Sequence, residues 1–311
     1  MISVLGTGAW GTTFAKVLAD AGNDVLLWGR DAAIVGEVNA RHTNAAYLPG
    51  HVLPEAIGAT ADLGAAVATA DTLVLAVPSQ VVREVITPVA HLVADHATVV
   101  SLMKGIELGT DMRMTQVLGG LGLAEDQLVV LSGPNLSREI AARQPSASVL
   151  ACTDVSRAEQ VAHLCATSYF RPYVSDDVIG VELAGAVKNV IAVAVGMAAG
   201  AGYGDNTKAT IITRGLAEIT RLAVTLGADP ATMAGLAGLG DLVATCASPL
   251  SRNHTLGHHI GSGMTLAEAV TATGGTAEGA KSCRSVAHLA HGMGVDMPIT
   301  DAVVAVLHEG L

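Results

Sequence analysis

Two features of this 311-residue chain have the residue types and spacing for chemistry. The first is Gly6-Thr7-Gly8-Ala9-Trp10-Gly11, a G-x-G-x-x-G pattern placed between an apolar β-branched run and a helical pattern. In that setting the first glycine permits a tight turn, the second lets backbone approach a pyrophosphate, and the third lets helix and strand pack closely. The helix N-terminus adds amide donors for phosphate. In a chain with 35 glycines the pattern alone is as readily an ordinary turn, so its position carries the weight. The second feature is Lys188, the only charged residue between Glu182 and Asp205 in a stretch made mostly of Ala, Val and Gly. A charge left in such a segment either snorkels to water or works.

The residues after the second expected strand bear on the choice of cofactor. NAD-selective enzymes place an acid there, about 20 residues past the glycines, to bind the ribose hydroxyls. Here Trp28-Gly29 is followed by Arg30. A guanidinium can pair in two-point geometry with a 2′-phosphate, which favours NADP(H), while Asp31 next to it keeps NAD open. The plain alternative for Arg30 is a solvated surface side chain. Ala76-Val77-Pro78-Ser79 should lie at the carboxyl edge of the same sheet, where open α/β folds bind ligands, unless it is simply a strand-ending proline.

These residues need elements to position them. Short β-branched runs at 2–5, 25–28, 72–76, 98–101, 128–131 and 146–151 alternate with amphipathic stretches, the pattern of βαβ units. The first helix is expected at 12–21, ended by Gly22 and Asn23. After about Asp176 the strand pattern gives way to helical spacing, as at 206–226 and 278–293. The expected fold is an α/β Rossmann-type N-terminal domain with a mainly parallel sheet over residues 1–176, followed by an all-α domain over residues 177–311.

Composition excludes several classes. A formal charge of −11 and a sequence pI near 5.4 argue against a nucleic-acid partner or an anionic membrane surface, so an anionic ligand needs local cations. Cys152, Cys165, Cys246 and Cys283 form neither a C-x-x-C pair nor a zinc spacing, which points to a reducing compartment. The opening MISVLGTG has no basic leader and reads as a strand, so a cytoplasmic location is expected. The longest uncharged apolar run, 189–203, is short for a bilayer span and is interrupted by Gly196, Gly200 and Gly202, so a buried helix is expected. His254, His258 and His259 cluster without H-E-x-x-H or a Cys/His ligand set, and read as a mostly solvated helix edge with no metal. Cys246 reads as a buried thiol rather than a nucleophile.

Six stretches resemble the NAD(P)-dependent glycerol-3-phosphate dehydrogenases of bacterial type, and the likeness runs over nearly the whole chain. They are Gly6 to Gly11 with its tryptophan, Tyr47-Leu48-Pro49-Gly50, Lys104-Gly105-Ile106-Glu107, ELAGAVKN at 182–189, GDNTKATIITRGLAE at 204–218 and GLAGLGDLVATCASPLSRN at 235–253. The resemblance implies that Lys188 is the proton donor and acceptor at the substrate oxygen. Hydride arriving at a ketone carbon leaves negative charge on oxygen, and a positioned ammonium can stabilise it and deliver a proton. Partial burial or a second cation would lower the lysine's pKa toward the working range, and Lys104 can be that cation.

The resemblance also implies an electrostatic role for Lys104 where cofactor and substrate join, and a substrate-phosphate site at Ser251, Arg252 and Asn253, with Arg252 shared with the cofactor. Asp241 and Thr245, one helical turn apart, would share a face toward Lys188, and Asp241 also fits an N-cap after Gly238-Leu239-Gly240. Asn189 is carried over as a substrate-orienting amide, and Gly133 and Asn135 as a loop facing the substrate. Gly6, Gly8, Ala9, Trp10, Gly11, Arg30, Tyr47, Ser137 and Glu278 are carried over to the cofactor. The chain departs from the family where Asn135-Leu136-Ser137 replaces Ser-Phe-Ala and where Ala277 replaces a valine, which leaves the side-chain roles of Asn135 and Ser137 open.

The implied activity is interconversion of dihydroxyacetone phosphate and sn-glycerol 3-phosphate with NADP(H), or NAD(H), in the reductive direction for glycerophospholipid synthesis. A small phosphate substrate is the implied partner, and a homodimer is compatible with it. A β-hydroxyacid or 2-ketoacid reductase would share the architecture but want a carboxylate site in place of Ser251-Arg252-Asn253. A non-catalytic NADP sensor would have no use for Lys188, Lys104 and Asp241.

Overall fold

The computed structural model describes residues 1–274 and 277–311. They divide into two compact units, one of Met1–Met103, Thr115–Leu131 and Asn135–Val178, the other of Lys104–Met114, Ser132–Pro134 and Ile179–Leu311.

Strands and helices alternate through the first half: β1 (Ile2–Leu5), α1 (Ala9–Asp20), β2 (Val25–Trp28), α2 (Ala32–Arg41), β3 (Ile57–Thr60), α3 (Leu63–Ala68), β4 (Thr72–Leu75). The order continues with α4 (Val82–Ile86), β5 (Thr98–Ser101), α5 (Met114–Gly119), β6 (Leu128–Ser132), α6 (Ser137–Ala141), β7 (Ser146–Ala151), α7 (Val155–Cys165) and β8 (Phe170–Ser175). The strands form one sheet in the order β3-β2-β1-β4-β5-β6-β7-β8. β1 pairs in parallel with both β2 and β4, Ile2 lying opposite Val25 and Thr72, so the strand order reverses at β1. Such a reversal opens a crevice at the carboxyl ends of the strands.

Every residue of β1, β4 and β5 is buried, which is why these strands read as mostly apolar and β-branched runs, interrupted only by Ser3 and Ser101. β3 and β8 went unanticipated because they are the two edges of the sheet and only partly buried. An edge tolerates Gly58, Arg171 and Pro172, which dilute the strand signal. α1 starts three residues ahead of expectation because Gly8, in extended backbone, is already its cap. Its end is as expected: Gly22 has φ +97° and donates to the Ala19 carbonyl, and the Asn23 amide donates to that of Leu18. Phe14 and Phe170, both fully buried, meet edge to face at 6.2 Å in the core of this unit.

Helices make up the second unit: α8 (Val178–Gly200), α9 (Asp205–Thr225), α10 (Pro230–Ala234), α11 (Asp241–Ala247), α12 (Arg252–Gly261), α13 (Leu266–Ala272), α14 (Glu278–Gly292) and α15 (Pro298–His308). α8 is long and apolar enough to cross a membrane, yet 83% of its most apolar stretch is buried within the protein, and the apolar run is helical only to Gly200. It is the central helix of this core. Gly196 and Gly200 on α8 meet the backbone at His254 and His258 of α12, while Gly257 and Gly261 on α12 meet the backbone at Val193 and Met197. A Cβ at any of these four positions would run into a carbonyl, so the two helices cross in backbone contact.

Gly196→Ala puts two effects in competition. Helix propensity gains about 1 kcal/mol, and the methyl must push the His254 carbonyl aside, an overpacking cost of about 1–3 kcal/mol. The neighbour is backbone and cannot swing away, so we expect net destabilisation, read as a lower urea midpoint with an unchanged slope.

Candidate active site

Lys188 sits in the middle of α8 with only 5% of its surface exposed. Its Nζ donates to Oδ1 of Asp241 and, at 2.6 Å, to Oγ1 of Thr245. Asp241 opens α11 and Thr245 follows one turn later on the same face, its hydroxyl also donating to Asp241 Oδ1 at 3.3 Å. The other carboxylate oxygen, Oδ2, accepts from Lys104 Nζ at 2.7 Å, and Lys104 Nζ donates as well to the Gly133 carbonyl at 3.0 Å. One buried carboxylate is thus shared by two ammoniums. Asp241 is no N-cap: Gly240 occupies that position, and both carboxylate oxygens are bound to the lysines.

Burial pushes the Lys188 ammonium down to about 8; Asp241 opposes that shift and the charge of Lys104 adds to it. A lysine in that range exchanges its proton near neutrality, which an exposed lysine does not. Local backbone brings the groups together. A π-helical turn, Leu236–Gly240, leads directly into Asp241. Gly185, three residues before Lys188 and so on the same helix face, has no room for a side chain: a Cβ would stand 2.6 Å from Ser132 Oγ and 3.4 Å from Lys104 Cγ.

A chain of amides extends from this cluster. Asn189 donates through Nδ2 to the Lys104 carbonyl at 3.3 Å and accepts from Asn253 Nδ2 at 3.0 Å, while Asn253 Oδ1 accepts from the Gly279 amide at 2.9 Å. Each amide keeps one further N–H to give. Ser251 caps α12 by accepting from the His254 amide at 3.3 Å, and Arg252, the first residue of that helix, is exposed. Glu278 opens α14 and is half-buried. Lys188, Lys104, Asp241, Thr245, Gly133, Asn189 and Asn253 therefore form one connected network, with Ser251 and Arg252 beside its Asn253 end. Of the other candidates, His254 and His259 are half-buried and His258 exposed on α12, and burial lowers the His254 pKa. Cys246 is buried, and burial pushes its thiol up to about 12, which suits packing and not attack.

The glycine turn lies in the first unit. Gly6 has φ +127° and a Cβ there would stand 2.6 Å from the Ala76 carbonyl oxygen, while one on Gly11 would strike the Gly6 carbonyl. Gly8 faces open space and caps α1 without any side-chain bond, leaving its first amides for a ligand. Trp10 Nε1 is buried with no partner. These features fit a dinucleotide. Arg30 and Tyr47 are exposed, and Ser137 begins α6, where its carbonyl accepts from Thr13 Oγ1 at 3.3 Å. Asn135 accepts from Ser148 Oγ at 2.5 Å, and its Nδ2 is buried without a partner.

Two family models match the chain, NAD-dependent glycerol-3-phosphate dehydrogenase N-terminus over residues 1–158 and C-terminus over residues 177–311. A glycerol-3-phosphate dehydrogenase [NAD(P)+] of Streptomyces coelicolor is 58% identical over 309 residues, covering 99% of this chain and 92% of that protein. The chain belongs to the NAD-dependent glycerol-3-phosphate dehydrogenase family. A crystal structure of a glycerol-3-phosphate dehydrogenase from Coxiella burnetii superposes with a TM-score of 0.95 at 38% identity, covering 100% of this chain and 95% of that one. A ketopantoate reductase from Ralstonia eutropha is similar at a TM-score of 0.62 and 18% identity over 99% and 98% of the two chains, which is likeness of fold alone. The Rossmann-type unit and helix-rich remainder expected from the sequence are thus the family's architecture.

Family motifs did not single out every residue that shapes these sites. Asn44 is fully buried; its Nδ2 donates to the Thr7 carbonyl at 2.8 Å and to Thr12 Oγ1 at 2.9 Å, and its Oδ1 accepts from the Tyr47 amide at 3.3 Å. It ties the glycine turn to the segment bearing Tyr47, and its place three residues before Tyr-Leu-Pro-Gly was the available signal. Arg113 and Glu182 form a buried ion pair at 2.7 Å that spacing alone does not reveal.

Asp241→Asn tests the shared carboxylate. Removing one partner of a buried ion pair leaves uncompensated charge and costs about 3–5 kcal/mol. We expect a loss of that order in urea unfolding at pH 7, with the Lys188 pKa falling further below about 8 because the group that raises it is gone. A variant as stable as the parent would show that the carboxylate balances nothing.

Proposed function

We propose that the protein catalyses the reversible reduction of dihydroxyacetone phosphate to sn-glycerol 3-phosphate, prefers NADPH, and runs in the reductive direction to supply the glycerol backbone of phospholipids. The observation that carries this reading is Lys188, a buried ammonium brought near neutrality by burial and held on Asp241 beside the charge of Lys104. Bound NADPH supplies the hydride. Lys188 donates a hydrogen bond to the ketone oxygen, stabilises the negative charge that develops there, and passes its proton to that oxygen. Asp241 keeps the ammonium aimed, Thr245 fixes its second donor direction, and Lys104 adds positive potential at the same oxygen.

The phosphate end belongs at the start of α12. Arg252 offers a forked, permanently charged donor set, and Ser251 and Asn253 add neutral ones at a helix N-terminus. Asn253 is bonded to Asn189, the residue after Lys188, which fixes the phosphate site relative to the proton donor. Asn189 and the backbone of the loop bearing Gly133 and Asn135 orient the substrate hydroxyls. In the glycine turn, Gly6, Gly8 and Gly11 shape the backbone against the pyrophosphate, with Ala9 and Trp10 presenting N–H groups. Arg30 reads the 2′-phosphate, and Tyr47, Ser137 and Glu278 complete the cofactor contacts. Residues 1–176 act as the dinucleotide-binding part and residues 177–311 as the substrate-binding part.

Mixing protein, NADPH and dihydroxyacetone phosphate should consume NADPH absorbance; turnover with a 2-keto acid and none with this ketone would overturn the reading. Lys188→Ala should lower turnover by about 10²–10⁴-fold while NADPH still binds. Reduction needs the ammonium and oxidation the free amine, so kcat/KM for reduction should fall, and for glycerol 3-phosphate oxidation rise, as pH passes about 8. Arg30→Asp should shift the preference from NADPH toward NADH, and an unchanged ratio would remove Arg30 from 2′-phosphate recognition.

A further inference from the structure

We propose that the buried ion pair between Arg113 and Glu182 is a positioning device for Lys104, holding its ammonium between Asp241 and the Gly133 carbonyl. The inference rests on the function proposed above. Residues 104–114 form a self-closed loop within the helical unit: Ile106 and Arg113 make an antiparallel bridge, the Glu107 amide donates to the Met112 carbonyl at 3.0 Å, and the Asp111 amide to that of Glu107 at 3.0 Å. Lys104 is the first residue of that loop, and Arg113 stands at its other end.

The loop is fastened to the helices of the unit at several points. Arg113 Nη1 meets Glu182 Oε2 on α8 at 2.7 Å, Ser285 Oγ on α14 donates to the Ile106 carbonyl at 3.1 Å, and His288 on α14 meets Asp111. These fastenings are not equal. His288 is 79% exposed, and a pair so open to water is worth little. The Ser285 hydroxyl is neutral and is shared with the Ser282 carbonyl. Glu182 is 1% exposed on its side chain and Arg113 14%, so of these three fastenings theirs is the one made between ionised groups away from water. A buried pair is weak evidence of stability, but it is strict about geometry.

The direction of the constraint matters. Glu182 lies six residues before Lys188 on α8, so the helix that carries the buried ammonium also anchors the loop that carries Lys104. Asn189 on the same helix bonds the Lys104 carbonyl. Both ends of the loop are thereby referenced to α8, and Lys104 keeps its distance from Asp241 as long as the Arg113 end stays in place. Glu182 holds Arg113, at the far end of the loop from Lys104, so it acts through the loop.

A double-mutant cycle tests this. Glu182→Gln should lower kcat/KM for dihydroxyacetone phosphate about tenfold in the wild-type background and less than about twofold in a Lys104→Ala background, because coupled residues fail to add. The NADPH dissociation constant of Glu182→Gln should match that of the wild type. Arg113→Lys, which keeps the charge, should retain most of the rate, and Arg113→Gln should match Glu182→Gln. If thermal melting shows that Glu182→Gln does not fold, the less buried Arg113→Gln carries the same cycle. Equal losses with and without Lys104 would overturn the inference while leaving the proposed function standing. A wild-type protein that does not oxidise NADPH with this ketone would remove both.

Discussion

One carboxylate between two ammoniums is the constraint on which the helical unit is organised. Asp241 is almost fully buried, and so is Lys188. Two cations this close repel, and each loses hydration on entering the interior. Only an anion placed between them makes the arrangement tolerable. The balance also sets the chemistry: burial and Lys104 drive Lys188 toward the free amine while Asp241 holds the proton on, and the outcome near 8 lies between an unperturbed lysine and a permanently neutral one. The elements that converge on the carboxylate, α8, α11, the 104–114 loop and the Ser132–Pro134 segment, are separated widely in the chain and joined by this charge balance.

Packing gives that balance its precision. A chain that is 3% aromatic cannot wedge its helices apart with large side chains, and the glycines of α8 and α12 let the two helices meet along their backbones. Such a contact has few ways to slide. Gly185 performs a similar service against Lys104 and Ser132. The Asn189–Asn253–Gly279 amide chain then ties α8, α12 and α14 together through directional bonds at 3.0 and 2.9 Å. Small residues set the distances and amides set the orientations, and the lysine and the arginine at the start of α12 are held by the same pieces.

How far the sequence could be read follows from which interactions are local. β1, β4 and β5 were legible because strands buried on both faces are dominated by apolar and β-branched residues, with Ser3 and Ser101 as the exceptions. β3 and β8 were not, because edge strands have no such requirement. The glycine turn was legible because strand, glycines and helix adjoin in the chain. Lys188 stood out because burial had removed every other charge around it, but its partners could be assigned only by resemblance, since Asp241 lies 53 residues away and no periodicity reports a contact of that range. The N-cap reading of Asp241 fails because a π-helical turn precedes it, so the helix it opens has no free turn for a carboxylate to cap. Arg113, Glu182 and Asn44 could not be paired from the sequence, because nothing local marks a polar group whose partner is distant.

The overall acidity of the protein bears on how a doubly anionic substrate is recognised. With a formal charge of −11 the long-range field opposes an incoming phosphate ester. At physiological ionic strength that field is screened beyond about 8 Å, so encounter is governed by the charges nearest the site. There the sign is reversed: Lys104 and Lys188 outnumber Asp241, and Arg252 stands exposed at the start of α12 with the helix amides behind it. Recognition on this reading is short-ranged and geometric, with a guanidinium fork and oriented N–H groups replacing the broad positive surface that a nucleic-acid or membrane binder needs. The same reasoning accounts for a single buried carboxylate at the centre. A second acid among these cations would cancel the local positive field, and none would leave two largely buried ammoniums without a counter-charge.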